Sequence, residues 1–88
     1  MDEIDSIGID PICELIWRVL DLHGNTPIER SKVTPASLLR DDLGFDSLGM
    51  VALVVELQRT YRVRIPEQDV PAWITVADVH VYMRTLIK

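Results

Sequence analysis

Cysteine, glycine, aromatic residues and basic charge are all scarce in this chain of 88 residues. The single cysteine, Cys13, excludes an internal disulfide framework and fits a reducing compartment. It lies in a helical pattern, where a small buried apolar residue is the expected reading rather than a reactive thiol. The four glycines form no glycine-rich loop that could cradle a phosphate. With nine Lys and Arg against fourteen Asp and Glu, the net charge is −5, which argues against nucleic-acid binding because phosphate neutralisation needs a basic face. The longest apolar run is "MVALVV", far short of the roughly 20 residues that span a bilayer, so no stable membrane insertion is expected. The opening "MDEIDSIG" is acidic and lacks the basic segment of a signal peptide, which predicts a cytoplasmic protein.

What is present is a half-apolar chain, 48% hydrophobic and 26% charged, far from the composition of a disordered tail. Its length predicts one domain over residues 1–88, with a modest core that buries about 60–65% of the surface exposed on unfolding. The acids are uneven. Residues 1–24 hold six against one base and residues 41–69 hold six against three, while 25–40 and 70–88 are slightly basic. An acidic stretch is commonly a solvated surface and can also steer a basic partner.

Apolar spacing marks the elements. Asp10-Pro11 reads as an N-cap followed by proline at the first helical position. Ile12, Leu15, Ile16, Val19 and Leu20 then recur at helical period up to Gly24, which predicts a first helix over 11–23. A long connection from Asn25 to Asp46 follows, broken by Pro27, Pro35 and Gly44, with one short helical turn expected from Thr34-Pro35 through Leu39. Connections longer than about 12–15 residues are uncommon in compact domains and are often functional. A second helix is expected from Ser47 to Arg62 with Asp46 as N-cap. "IPEQDVP" reads as a brief turn or short helix closed by Pro71. Thr75 with Asp78 resembles a capping box that opens a last helix, whose stripe is Val76, Val79, Met83 and Leu86. No stretch alternates convincingly at period two, and "YRVRIP" would be a lone strand without a partner. An all-α fold follows: a small bundle of three main helices plus one short one, with a long loop between the first two.

Chemistry is concentrated at Ser47. "GFDSLG" looks briefly like a hydrolase nucleophile elbow, but the glycine spacing fails and no strand precedes the turn. Nothing couples His23 or His80 to the serine, and Asp78 and His80 point to different sides of a helix, so no catalytic residue is assigned. Asp41, Asp42 and Asp46 lack the spacing of a calcium loop, and one cysteine with two distant histidines makes no zinc site, so no metal is expected. What remains is a hydroxyl at a helix N-terminus, a poor catalyst but a good attachment point. Unpaired N–H groups there stabilise a phosphate by roughly 0.3–1 kcal/mol. The alternative, a serine that merely helps cap its helix, is equally common on local sequence.

The wider stretch is more specific. "DDLGFDSL" followed by "VALVVELQRTYRVRIP" resembles the acyl carrier protein family, with Asp42, Leu43, Gly44, Asp46, Ser47 and Leu48 matching its central motif. Tyr61 takes the aromatic position near the helix end, and Ile65-Pro66 the Ile-Pro after it. "VTPASLLRD" and "ITVADVHVYM" extend the likeness over roughly residues 10–86. The resemblance implies that Ser47 receives a 4′-phosphopantetheine arm from coenzyme A through a phosphopantetheinyl transferase. The arm's thiol then carries acyl groups as thioesters to partner enzymes of fatty-acid, lipid or secondary-metabolite synthesis. It implies a monomeric carrier rather than an enzyme, with Asp46 and Leu48 flanking the cofactor site and Asp46 helping to hold the transferase's metal.

At about 100° per residue the second helix sorts into two apolar arcs. Met50, Leu53, Val54, Leu57 and Tyr61 share one, assigned to the core and to the lining of any acyl-chain space. Leu48, Val51, Ala52 and Val55 share the other, extended by Arg59 and Arg62, and the resemblance implies that partner enzymes dock there. Both arcs would be buried instead if the helix were central in its bundle. Fatty-acid carriers of this family have a strongly acidic second helix, whereas residues 47–62 here hold one acid, Glu56, against Arg59 and Arg62. Gly49 and Ala52 stand where acids are usual. A specialised carrier is expected rather than the housekeeping one. The glycine two after the serine, together with Trp73, makes a stand-alone D-alanyl-like aminoacyl or a peptidyl carrier the alternative, and a cofactor-free interaction module of the same fold is the other rival. Trp17 lies off the stripe of the first helix and is expected to be half-exposed.

Overall fold

The computed structural model describes residues 7–23 and 27–87, and among these the chain is helical with no strand. Helix α1 spans Ile9–His23, α2 spans Ser47–Tyr61 and α3 spans Val76–Ile87, with short 3-10 turns at Arg30–Lys32 and Glu67–Ala72. The Gly24 stop and the Asn25 start of the long loop lie outside the described residues.

Helix α1 packs against both α2 and α3 and supplies the largest share of the core. Ile12, Cys13, Leu15, Ile16, Val19 and Leu20 are all buried on it, as their i, i+3, i+4 spacing requires. Burial raises the Cys13 thiol above its ordinary value, so it stays protonated and inert. The helix begins two residues earlier than its sequence signals suggest. Asp10 is inside the first turn rather than at the cap. Pro11 is tolerated there because first-turn N–H groups have no intrahelical acceptor to lose.

The loop before α2 is anchored rather than helical. The expected turn of helix over 34–39 is absent, and the 3-10 turn lies upstream. The reason is where the backbone groups go. Ala77 N donates to Pro35 O at 2.9 Å, Val76 N to Ser37 O at 3.1 Å, and Leu39 N to Ile74 O at 2.9 Å. Leu38 and Thr75 thereby form an isolated antiparallel bridge. Buried Ser37 completes the knot, its Oγ donating to Lys32 O at 2.8 Å and accepting from Thr34 N at 2.9 Å. The loop can then bury Val33, Leu39, Leu43 and Phe45 in the common core.

The capping box of α3 forms as the sequence suggests. Asp78 Oδ2 accepts from Thr75 N at 2.9 Å and from Ile74 N at 2.8 Å, while Asp78 N donates to Thr75 Oγ1 at 3.2 Å. Val76, Val79 and Met83 are buried behind it, with Leu86 half-buried. Pro71 does not close the 67–72 turn but sits inside it, since Trp73 N donates to Val70 O beyond the proline. Trp17 is half-buried and its Nε1 donates to Ile28 O at 2.7 Å, tying the loop to α1.

The backbone hydrogen bonds from Thr75 and Ile74 hold the Asp78 carboxyl below its ordinary value of 3.8. A carboxyl with a depressed folded-state value stabilises the fold above the ordinary value and loses that contribution as pH falls through the lower one. Asp78→Asn is expected to flatten the acid limb of the stability–pH curve below pH ~4. Leu53→Ala, at a residue with no exposed surface, should cost about 2–5 kcal/mol at any pH. Urea unfolding between pH 3 and 7 reads both.

Candidate functional site

Helix α2 opens on Ser47 because the chain turns sharply just before it. Gly44 adopts φ +80°, a left-handed conformation that a side chain would strain. Leu38 N donates to Asp42 Oδ2 at 2.8 Å, and Gly44 N and Phe45 N return to Arg40 O and Leu39 O. Asp46 is then the N-cap, with extended backbone, and its Oδ1 accepts from Gly49 N at 2.8 Å. Ser47 follows as the first helical residue, exposed to solvent. At the other end Arg62 is the left-handed C-cap, at φ 56° and ψ 50°.

The two histidines lie apart from Ser47 among the described residues. His80 Nε2 is 3.0 Å from Ile7 O, and His23 lies across a small cleft lined also by Asp46 and Gly49. No hydrogen bond joins either histidine to the serine. The helix N-terminus nonetheless offers partial positive charge to an anion bound at the hydroxyl.

Beside Ser47 a groove of about 1120 Å³ runs between α2 and the segment from Val63 to Trp73. Ser47, Met50, Val51, Val54, Val55 and Gln58 form its helical wall, and Val63, Ile65, Val70 and Trp73 belong to the opposite side. Arg40 and Arg64 line it as well, so cationic groups share the space with the serine. Gln58 braces the two walls, its Oε1 accepting from Ile65 N at 2.8 Å.

The two arcs of α2 separate in the structure. Met50, Leu53 and Leu57 are buried, and Val54 and Tyr61 are half-buried against the core. Only Met50 and Val54 of these five reach the groove. Leu53 and Leu57 are sealed beneath it, and Tyr61 lines a different cleft, against α1. On the other arc Leu48, Val51 and Val55 are 80%, 59% and 46% exposed. Ala52 departs from them, half-buried in the cleft with α1, because the arc's edge turns inward toward that helix. Arg59 and Arg62 are exposed, and Arg59 Nη1 lies 3.3 Å from Glu56 Oε1.

Two features carry no periodic signal in the sequence. One is Phe45, whose buried ring lies against Gly49: a Cβ there would come within 2.9 Å of its Cδ1. The other is Trp73, buried at 6% exposure in edge contact with Tyr82 of α3, ring centroids 5.3 Å apart. Its indole Nε1 is shielded from solvent with no hydrogen-bond partner among the described residues. A buried donor left unpaired costs about 1–3 kcal/mol. Tyr82, by contrast, is satisfied. Its hydroxyl donates to Asp69 Oδ2 at 2.7 Å, and burial, aided by that bond and the Asp69 charge, pushes it up to about 12.

The sequence matches the family model of the phosphopantetheine attachment site over residues 10–79. It is 44% identical over 61 residues to the meromycolate extension acyl carrier protein of Mycolicibacterium aurum, covering 69% of this chain and 63% of that protein. The protein of the same name from Mycobacterium tuberculosis is 43% identical over 61 residues, 69% of this chain and 53% of its own length. The acyl carrier protein of Brachyspira hyodysenteriae is 33% identical over 75 residues, covering 85% of this chain and 90% of that one. The matched region thus spans less than two thirds of the meromycolate relatives.

The capping geometry sets an expected outcome. Asp46→Ala should lower stability by about 1 kcal/mol through the lost bond to Gly49 N. Leu48→Ala should stay within about 0.5 kcal/mol of the parent, because its side chain is in solvent. Denaturant midpoints of the two variants check both.

Proposed function

The chain belongs to the acyl carrier protein family, and on that premise we propose that it carries acyl groups as thioesters on a 4′-phosphopantetheine arm bound to Ser47. The observation that carries this reading is an exposed, base-free hydroxyl at the first position of α2, within the matched residues. Phosphopantetheine is the family's cofactor, and its terminal thiol supplies the thioester chemistry. This chain's residues fit it. Ser47 Oγ offers the attachment point, the α2 N-terminus favours the phosphodiester charge, and Arg40 lines the same groove. Asp46 keeps the first turn wound, so the attachment point is held on a rigid element. With no histidine paired to Ser47 among the described residues, its proton leaves to a group on the transferase.

Docking is assigned to the exposed face that starts one residue after the serine. Leu48, Val51 and Val55 supply the apolar contact, and Arg59 and Arg62 the charge at its far end. Partners are a phosphopantetheinyl transferase and the enzymes that load and unload the thiol. Because the single acid of α2, Glu56, is already paired with Arg59, a partner rimmed with basic residues gains little attraction here. That favours a dedicated partner set, and the likeness to relatives named for meromycolate extension supports acyl chains of lipid synthesis as the leading cargo class.

Incubation with coenzyme A and a transferase should add one phosphopantetheinyl group to the intact mass, and Ser47→Ala should stay unmodified. An unchanged wild-type mass across several transferases overturns the reading. Val51→Asp and Val55→Asp are expected to lower kcat/KM for loading roughly tenfold, the scale of one interface hot spot, with little change in melting temperature. Equal loss of stability and loading would mean that these residues serve the fold and not the partner.

A further inference from the structure

We propose that the enzymes docking on α2 present an apolar hollow rimmed with Asp and Glu, and that arginines around the exposed strip of α2 select for that rim. The proposal rests on Ser47 as the attachment point of the arm, and it names the partner chemistry of that same face.

The strip is continuous. Leu48, Val51, Val55, Arg59 and Arg62 follow one another at steps of three or four residues, so they share one face over about 21 Å of helix. All five are exposed. The apolar part begins beside Ser47, and the far end is cationic. Val51 and Val55 also stand on the wall of the groove, whose charged lining is Arg40, Arg64 and a single acid, Glu67. Both of those arginines are exposed too. Four of the chain's nine basic residues thus gather around one strip.

Most of this charge is not neutralised from within. Among the described residues Arg59 pairs with Glu56, whereas the side chains of Arg40, Arg62 and Arg64 make no hydrogen bond or ion pair. Nearby carboxylates are committed elsewhere. Asp42 and Asp46 accept from the N–H groups of Leu38 and Gly49, and Asp69 accepts from the Tyr82 hydroxyl. Asp46 and Glu56 line clefts against α1 rather than the groove. Helix α1 itself carries Asp10, Glu14 and Asp21 against Arg18. The chain is −5 overall, yet the face beside the serine is not where its excess acid lies.

Burying Leu48, Val51 and Val55 is favourable against any apolar hollow, so those residues do not choose between partners. The arginines do. Docking brings each of them to the edge of the contact, where a facing carboxylate can accept two parallel N–H bonds from one guanidinium. A facing Lys or Arg would set like charges together, which is strongly unfavourable. The acids of α1 meanwhile disfavour the reverse approach, with the back of the carrier against an acidic rim.

The test uses two phosphopantetheinyl transferases with opposite charge around the active-site mouth, one acidic and one basic. A carrier with an acidic second helix normalises their intrinsic rates. Holo-protein formation from coenzyme A is followed by intact mass at 25 and 300 mM NaCl. The normalised kcat/KM should favour the acidic-rimmed enzyme about tenfold at low salt, and the ratio should fall toward one at high salt. Arg62→Gln with Arg64→Gln should bring the ratio close to one at low salt, while Arg62→Lys with Arg64→Lys should keep most of it. Arg40→Gln should narrow it independently, and any loss of phosphate binding at that residue cancels between the two enzymes. Melting temperatures of the variants separate these effects from unfolding. A ratio near one for the parent, a ratio favouring the basic-rimmed enzyme, or a preference that survives all the glutamine variants overturns the proposal. Loading by neither enzyme would instead overturn the reading of Ser47 on which it rests.

Discussion

Everything in this molecule depends on three main-chain hydrogen bonds between the long loop and the entry to α3. Pro35 O, Ser37 O and Leu39 N are all committed to Ile74, Val76 and Ala77. Without those bonds, a connection of this length would be a floppy tether, and Ser47 would sit on a helix of undefined direction. With them, Val33, Leu39, Leu43 and Phe45 enter the core, and the loop becomes its third side. Two of the three, from Val76 N and Ala77 N, satisfy orphan N–H groups at the start of α3, which every helix must resolve. One exchange therefore closes a helix end, orders a loop and aims the functional serine.

The departure of α2 from an acidic face has a steric component as well as an electrostatic one. Gly49 lacks an acid, and the buried Phe45 ring fills the space where a side chain would begin. Phe45 in turn is placed by the turn at Gly44 and by its N–H donating to Leu39 O. The reduced charge near the serine thus follows from how this loop packs. Further along, Glu56 is neutralised by Arg59, so the exposed surface of α2 is left to apolar contact and two cations. A surface of that kind attracts by shape and burial more than by long-range steering.

The groove adds a second asymmetry. α1 contacts both other helices, while α2 and the 63–73 segment face one another across open space. Gln58 spans that space with one hydrogen bond to Ile65, which holds the walls together near one point and leaves the remainder free. Residues on a single helical arc thereby divide their duties: Leu53 and Leu57 are sealed core, whereas Met50 and Val54 look onto the groove. Periodicity alone cannot make that distinction, since all four share one face.

The three helices, the Asp46 cap and the Thr75–Asp78 box were legible in the chain, because each rests on neighbours within four residues. Helical burial repeats at its own period, and caps are closed by side chains three positions away. The 34–39 segment was misread for the opposite reason: its carbonyls answer to residues some forty positions later, and no local pattern records that debt. The same holds for Trp17 and Ile28 and for the unpartnered indole of Trp73. Sequence alone determined which segments coil and where a hydroxyl stands at a helix mouth. Only the tertiary structure decided which apolar residues are core and which line a groove, because burial across elements depends on the path of the loop between them.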